Sequence, residues 1–363
     1  MQYPKNHKLK NNKQFFIFMY DEIIKKILES VDEKAAITNT FPKFSGEGYK
    51  PCKIDTNNFH EIIRLNDDKR IAFVDGGNAE IIGSANFSLN LIRVCYVIYK
   101  NNRKIISKKF EIFAFVQAIN QNNEIYYRAS FFRTNNPIDF EEISFSSFDH
   151  TLMIGINRAE ISNFANTLRR FTELKLAKMI ADNKLSDIII LDGNLQSTLT
   201  NENEYLNQLY EACGKNNVIL AALGKTNSLF TDNGDLLSAV LSSISKLQSW
   251  FYHPIVEIKN TSHRAEMFLA KFHDKSRHIF RFEIFNGQKA KAEETINILA
   301  GNCADPIFIG YPYGLVEADR AARIGNSEKD SLKMLFIVRL GSKNIEKYLT
   351  SKNAHDILDR ISF

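Results

Sequence analysis

Ile71-Ala72-Phe73-Val74-Asp75-Gly76-Gly77 is the stretch from which the rest of this chain is read. An apolar run with β-branched residues and a glycine boundary fits a fully buried strand. A second stretch, Ile188-Ile189-Ile190-Leu191-Asp192-Gly193-Asn194, repeats the device. Each reads as a short central strand whose last residue is an aspartate, followed by a glycine turn. Turns favour aspartate before glycine, so either acid alone has a purely structural reading. Together they say more. If the two strands lie parallel and side by side, both carboxylates emerge at one sheet edge. Carboxylates forced together repel, and a divalent cation resolves that repulsion. The pattern points first to a metal site and second to phosphodiester chemistry.

Working outward, Leu91 to Tyr99, Lys109 to Ile119 and Glu124 to Arg133 are rich in Val, Ile, Phe and Tyr. Asn101-Asn102 and Asn120 to Asn123 separate them, as in an antiparallel meander. A helix is predicted over roughly Arg158 to Ala181, with Ile161, Phe164, Ala165, Leu168, Leu176 and Met179 as its apolar stripe. The second acid-tipped strand follows it. Beyond lie a predicted helix at Glu202 to Cys213, a strand at Val218 to Leu223 and a long helical stretch at Leu236 to Trp250. His278 to Phe285 alternates like a half-buried strand. Glu293 to Leu299 reads as a helix, Ile307 to Ile309 as a strand, and Pro312 to Arg323 as a turn entering a helix. Before the core, Phe15 to Leu28 reads as a short amphipathic helix and Gly46 to Pro51 as a polar loop. The order of elements predicts an α/β fold with a ribonuclease H-like mixed sheet core flanked by helices.

Composition excludes several classes. The 363 residues are 44% hydrophobic and 25% charged, as in an ordinary globular protein. No apolar run reaches transmembrane length, and the first residues, MQYPKNHKLKNNK, lack a signal-peptide core, so a cytoplasmic protein without membrane attachment is expected. The four cysteines, Cys52, Cys95, Cys213 and Cys303, are scattered and form no CxxC pair, which argues against a zinc ribbon or a disulfide framework. The net charge of +5 suits a nucleic-acid binder without requiring one. Lys5, Lys8, Lys10 and Lys13 come with no acid in the first fourteen residues, as in a solvated tail or a basic arm near DNA or a partner.

The other candidate residues each carry two readings. Glu173 lies four residues after Arg169 on the flank of the helix stripe, as an exposed i,i+4 ion pair would, or as a third acid turned toward the strand ends. Lys225 follows an apolar strand in Leu223-Gly224-Lys225-Thr226, as a solvated turn lysine or as a contact to phosphate. Tyr311 and Asp319 straddle the turn in Gly310-Tyr311-Pro312-Tyr313-Gly314-Leu315-Val316-Glu317-Ala318-Asp319-Arg320, so both can face one cleft. His263, His273 and His278 show no ligand spacing and read as surface or satisfied histidines. Asp232-Asn233-Gly234-Asp235 lacks the distal glutamate of a calcium loop and reads as a turn.

VDGG, LDGN and GYPYGLVEADR, in this order and spacing, resemble the NurA nucleases of archaeal DNA end resection. The resemblance runs from roughly Arg70 to Gly325, and the GYP-x-x-L-x-x-AD segment is its most specific part. It implies manganese dependence, a homodimer, 5′-to-3′ exonuclease and single-strand endonuclease activity on DNA, and a hexameric HerA-type ATPase partner. It implies that Asp75, Glu173, Asp192 and Asp319 hold two Mn²⁺ ions (Mg²⁺ being the substitute), that Tyr311 is an active-site residue and that Lys225 meets DNA. Two departures stand out. Asp319 falls where many relatives place a histidine, and Gly77 where many have serine. The implied division is a basic tail and helical extension over 1–66, the nuclease domain over 67–340 and a helical tail over 341–363. Alternatives from other classes are a degenerate DNA-end-binding platform for a motor, and another ribonuclease H-like nuclease such as a resolvase or hybrid RNase.

Overall fold

The computed structural model describes residues 19–28, 39–133, 137–225 and 228–341. The basic run over the first fourteen residues, residues 15–18 of the expected first helix and most of the C-terminal tail lie outside these. Residues 19–28 form helix α1. Short strands β1 (Pro42–Lys43), β2 (Tyr49–Pro51) and β3 (Phe59–Glu61) follow, so the expected polar loop ends in a strand. The meander comprises β4 (Ile71–Gly83), β5 (Phe87–Lys100), β6 (Arg103–Gln121), β7 (Glu124–Arg133) and β8 (Ile143–Ser146). Next come α2 (Phe164–Asp182), β9 (Ile188–Asp192), α3 (Glu202–Asn216) and β10 (Ile219–Gly224). The remainder holds β11 (Phe230–Thr231), α4 (Leu237–Ile244), β12 (Trp250–Tyr252), β13 (Val256–Ile258), β14 (Ala265–Lys271) and β15 (Phe280–Phe285). Three helices close it: α5 (Ala292–Ala300), α6 (Tyr313–Ala322) and α7 (Asn326–Leu340).

Asparagine sets the meander. The turns between β5 and β6 and between β6 and β7 carry Asn101, Asn102, Asn122 and Asn123 at φ of 50, 56, 53 and 63°. Two consecutive left-handed residues give the turn that matches strand twist, and asparagine tolerates that conformation well. Eleven strands join one sheet in the order β3-β12-β14-β15-β10-β9-β4-β5-β6-β7-β8. β9 is parallel to both β4 and β10, while β4 to β8 pair antiparallel in succession. The inner run β6-β5-β4-β9-β10 is the ribonuclease H-like core expected from the order of elements.

Alternation splits the core into two layers. Ala72, Val74, Ile189 and Leu191 face α2 and α3, where Phe164, Leu168, Phe171 and Leu206 are buried. Ile71, Phe73, Ile188 and Ile190 face α5 and α6, where Ile296, Leu315 and Ala318 are buried. Burying each of the Val, Leu, Ile and Phe side chains among these contributes about 1.5–3 kcal/mol relative to exposure. The cysteines are free, with Cys95, Cys213 and Cys303 buried in these layers. Among the described residues no helix is long and apolar enough to cross a membrane.

Three expectations change, and one strand is new. Asp75 does not end its strand, because β4 continues through Gly76 and Gly77, which pair with Val94 and Arg93 of β5. The helix expected over Leu236 to Trp250 stops at Ile244. Ser245 then accepts a hydrogen bond from the Leu247 amide at its hydroxyl (3.2 Å), and the aromatic run Trp250 to Tyr252 joins the sheet. Ile307 to Ile309 is a turn rather than a strand, with the Asp305 carboxylate accepting from the Ile307 amide at 2.9 Å. β14 was not expected at all; it fills the sheet between β12 and β15.

Candidate active site

Strand register brings the two aspartates together. The parallel ladder of β4 and β9 ends at Val74 opposite Leu191, so Asp75 and Asp192 are the next residues on neighbouring strands. Such strands lie about 4.8 Å apart. Asp75 continues the Ile71 and Phe73 face, and Asp192 the Ile188 and Ile190 face, so both carboxylates stand on the α6 side. β9 ends at Asp192, and Gly193 turns the chain away with φ of 105°.

Glu173 arrives from the opposite face. It is 5% exposed on α2, and a Cβ on Gly76 would lie 2.6 Å from its Oε1. Gly76 is therefore a close-approach position that lets the Glu173 carboxylate reach across β4 toward Asp75. Gly77 is equally constrained, since a Cβ there would meet the Ala322 carbonyl oxygen at 2.4 Å. The end of α6 leaves no room for a side chain at this position.

Both readings of Glu173 are met in part. Arg169 donates to its Oε1 at 2.5 Å, so the i,i+4 pair exists, yet the carboxylate is buried rather than solvated. Arg169 also donates to the Gly76 carbonyl at 3.1 Å, tying helix to strand. Arg170 donates to Glu202 Oε1 and to the Asn194 carbonyl, both at 2.8 Å, and lies 3.8 Å from Glu173. Neither arginine is marked by a motif; the spacing to Glu173 signals Arg169 alone, and Arg170 emerges only from the structure.

α6 supplies Asp319, and the turn before it supplies Tyr311, as expected. Pro312 precedes the helix in extended conformation and needs no amide bond there. Tyr311 is 1% exposed, stacked on Phe308 at 5.0 Å between ring centroids, with its hydroxyl 3.5 Å from Asp192 Oδ1. Lys225 follows β10 directly. Its Nζ lies 2.7 Å from Asp192, 3.1 Å from Asp319 and 4.0 Å from Asp75. Lys225 is thus no free turn lysine: its ammonium stands at the centre of three carboxylates.

The electrostatics follow from this crowding. Burial raises the Asp75 pKa from 3.8 to about 7, and the charges of Asp192 and Glu173 add to it, against the pull of Lys225 and the Gly76 amide. Glu173 is also raised, by burial first, with Arg169 and Arg170 opposing. Burial would lower Lys225, but its bond to Asp192 and the surrounding acids hold it above its usual value. Asp319 is lowered: its modest burial is outweighed by Lys225 and Arg323. Tyr311 is raised far above its usual value by burial and by the acids, so it stays protonated.

Among the described residues no three acid, imidazole or thiol groups close on a single point. Asp75, Asp192 and Asp319 are instead arrayed about the Lys225 ammonium. The donor set still fits a hard divalent cation, being oxygen only and strained by its own negative charge, with a lysine cation already drawn into its centre. The cleft beside it, about 470 Å³, is lined by Asp75, Glu173, Asp192, Lys225, Arg169 and Arg281 among others.

Comparison with known protein families finds a match. The family model described as the NurA domain matches residues 69–324. Among solved structures, the NurA nuclease from Sulfolobus solfataricus is similar at 13% identity with a TM-score of 0.51, covering 93% of this chain and 98% of that chain. At that identity the likeness speaks for the fold alone. The catalytic domain of human Endonuclease V aligns over 73% of this chain and 89% of its own at 10% identity and a TM-score of 0.32, which carries no argument. No curated protein sequence matches the chain. The family match spans the two aspartate-bearing strands β4 and β9, α2 and the Tyr311–Asp319 segment, and on that ground the chain belongs to the NurA family.

Proposed function

We propose that this chain is a metal-dependent deoxyribonuclease. The observation that carries the reading is the convergence of Asp75 and Asp192 on neighbouring parallel strands, with Glu173 reaching them over Gly76, in a chain of the NurA family. Asp75, Glu173, Asp192 and Asp319 are the residues that would hold divalent cations, Mn²⁺ or Mg²⁺, whose chemistry is Lewis-acid activation of water and of the phosphate. Arg169 and Arg170 aim Glu173 and favour its charged form against burial. Lys225 is charged and next to the acids; when they are otherwise neutralised, its ammonium is free to donate to a phosphate oxygen. Tyr311 holds its proton and serves as a donor, to Asp192 or to a phosphate oxygen, and not as a base.

Metal choice supplies one prediction. Mn²⁺ is expected to support cleavage best and Mg²⁺ less well, while Ca²⁺, with longer and looser coordination, binds without turnover. Cleavage rates of a labelled oligonucleotide in each ion check this; Ca²⁺ matching Mn²⁺ would contradict it. A second prediction concerns the departure at Asp319. Asp319→Asn should lose most activity, about tenfold or more, because a neutral amide is a poorer ligand and no longer draws in Lys225. Asp319→His should retain more, since imidazole also suits transition metals. Equal activity of both variants and wild type would make Asp319 a surface helix residue.

The finer reading is 5′-to-3′ degradation of DNA ends in double-strand break repair. A nuclease site cannot separate strands, and the chain has no GxxxxGK[ST] sequence, so a HerA-type hexameric ATPase acting in trans is part of the proposal. The apolar side chains of α1 support a docking role for this helix. Tyr20, Ile23, Ile24 and Ile27 recur at helical spacing and are 44–56% exposed. Met334, Leu335 and Val338 of α7, 52–72% exposed, support a homodimer contact. End-labelled single strands, duplexes and DNA–RNA hybrids, with Mn²⁺ and with or without the cognate motor, test the reading. Label release from 5′ ends of DNA supports it; preference for hybrids or branched junctions favours another ribonuclease H-like activity.

A further inference from the structure

One flank of the cleft has no part in the chemistry described so far. On β15, Phe280, Phe282 and Ile284 pack into the α6 layer, which turns Arg281 and Glu283 to the α2 side. Glu283 is fully buried. Its Oε2 accepts from the Leu195 amide at 2.8 Å, and its Oε1 accepts from Arg281 Nε at 2.6 Å and also bonds Arg281 Nη2. His263 Nε2 lies 3.1 Å from the same Oε1, and the Tyr49 hydroxyl lies 3.0 Å from His263 Nδ1. Burial opposes the charge on Glu283, but Arg281, His263 and the Leu195 amide hold its pKa at about 2. An ionised carboxylate this deep is costly, and an apolar packing of the same volume would stabilise the fold as well or better. The network fixes two things. One is the amide of Leu195, in the loop that leaves Asp192. The other is the Nε edge of Arg281.

Arg281 has donors to spare. Its bonds within the protein go to a single oxygen, and among the described residues its remaining N–H groups have no partner. Its Cα pairs with that of Gly224, the residue before Lys225, and its side chain lines the same cleft as Asp75, Asp192 and Lys225. The other cleft arginines differ. Arg169 and Arg170 are both tied to Glu173, and Arg170 is further spent on Glu202 and Asn194.

We infer that Arg281 is a phosphate-binding residue, its free guanidinium edge taking a backbone phosphate of a nucleic-acid strand beside the one cleaved, with Glu283 and His263 as its positioning residues. A planar fork held along one edge presents the other in a fixed direction, which suits two oxygens of one phosphate. The inference rests on the reading of this cleft as a phosphodiesterase site.

The test is equilibrium binding of a labelled single-stranded DNA to the full chain in EDTA, at a series of salt concentrations. R281Q should weaken binding about tenfold and lower the slope of log affinity against log salt by about 0.7, the contribution of one phosphate on a single strand. R281K keeps a charge beside Glu283 and guards against misfolding; it should bind between the two with a near-normal slope. E283Q leaves Arg281 charged but unaimed, so affinity should fall with little change in slope; a wild-type melting profile of E283Q separates this from a loss of folded protein. Wild-type affinity and slope in both R281K and R281Q would overturn the assignment, even if both melt normally. Cleavage of the same strand in Mn²⁺ separates the two claims. Wild-type cleavage with unaffected Arg281 variants defeats Arg281 alone, whereas a wild-type chain that neither binds nor cleaves DNA defeats the nuclease reading and Arg281 with it.

Discussion

Asp75→Ala and Asp192→Ala are each expected to lower DNA hydrolysis by about 10³-fold or more, about 4 kcal/mol of transition-state stabilisation, without loss of the fold. The two carboxylates sit on adjacent parallel strands, one step beyond the last paired residues Val74 and Leu191. Their removal also relieves repulsion, and this gives the prediction a second signature. In the metal-free protein the Asp75 pKa is raised from 3.8 to about 7. A carboxylate raised on folding penalises the native state once ionised. Its cost is absent below about pH 4, grows as pH rises toward 7, and is complete above that. Asp75→Asn should therefore melt above wild type at pH about 8, by an amount worth roughly 2–4 kcal/mol, with the gap closing toward pH about 4. Differential scanning calorimetry in EDTA at the two pH values measures it. A variant less stable than wild type at the higher pH would mean that the Asp75 carboxylate is a structural partner of Lys225 rather than a strained acid.

The second large effect is on stability. Gly314→Ala is expected to destabilise the chain by about 3 kcal/mol or more. In a helix interior the same change ordinarily stabilises by up to about 1 kcal/mol, so the sign itself is diagnostic. Here α6 lies directly on the sheet. A Cβ on Gly314 would sit 2.0 Å from a ring carbon of Phe73, which is fully buried and edge-on to Tyr99 at 5.8 Å. The Gly314 amide is also pinned, donating to Asn302 Oδ1 at 2.7 Å, so the helix start cannot slide away. Cys95 Sγ bonds the Ala318 carbonyl at 2.9 Å one turn on. Relief requires lifting α6, and α6 carries Asp319. Urea unfolding would show a lower midpoint at unchanged slope; a midpoint at or above wild type would show that Phe73 has room to move.

What the residues reveal on their own follows from how local each signal is. The acid-tipped strands were legible because four apolar, mostly β-branched residues in a row have few other uses. The turns at Asn101 and Asn122 were legible because left-handed pairs select asparagine. Gly76 and Gly77 misled for a physical reason. Glycine is the default turn former, yet here it serves close approach to Glu173 and Ala322, partners distant in sequence. β14 escaped because Ala265-Glu266-Met267-Phe268-Leu269-Ala270-Lys271 is composed largely of good helix formers. Its strand conformation comes from pairing with β12 and β15, which override propensity. Arg281 left no trace in the sequence, since one basic residue in an alternating strand is ordinary; only the buried chain from Tyr49 through His263 and Glu283 singles it out.

The central claim is that these carboxylates make a metal-dependent nuclease. The most direct measurement is the rate at which the purified chain cleaves an end-labelled single-stranded DNA as free Mn²⁺ is raised from zero in EDTA. The expected result is no cleavage in EDTA, a saturable rise with Mn²⁺ for wild type, and none at any Mn²⁺ concentration for Asp75→Ala or Asp192→Ala. Undiminished cleavage in excess EDTA, or saturating rates within about tenfold of wild type in both variants, would contradict it.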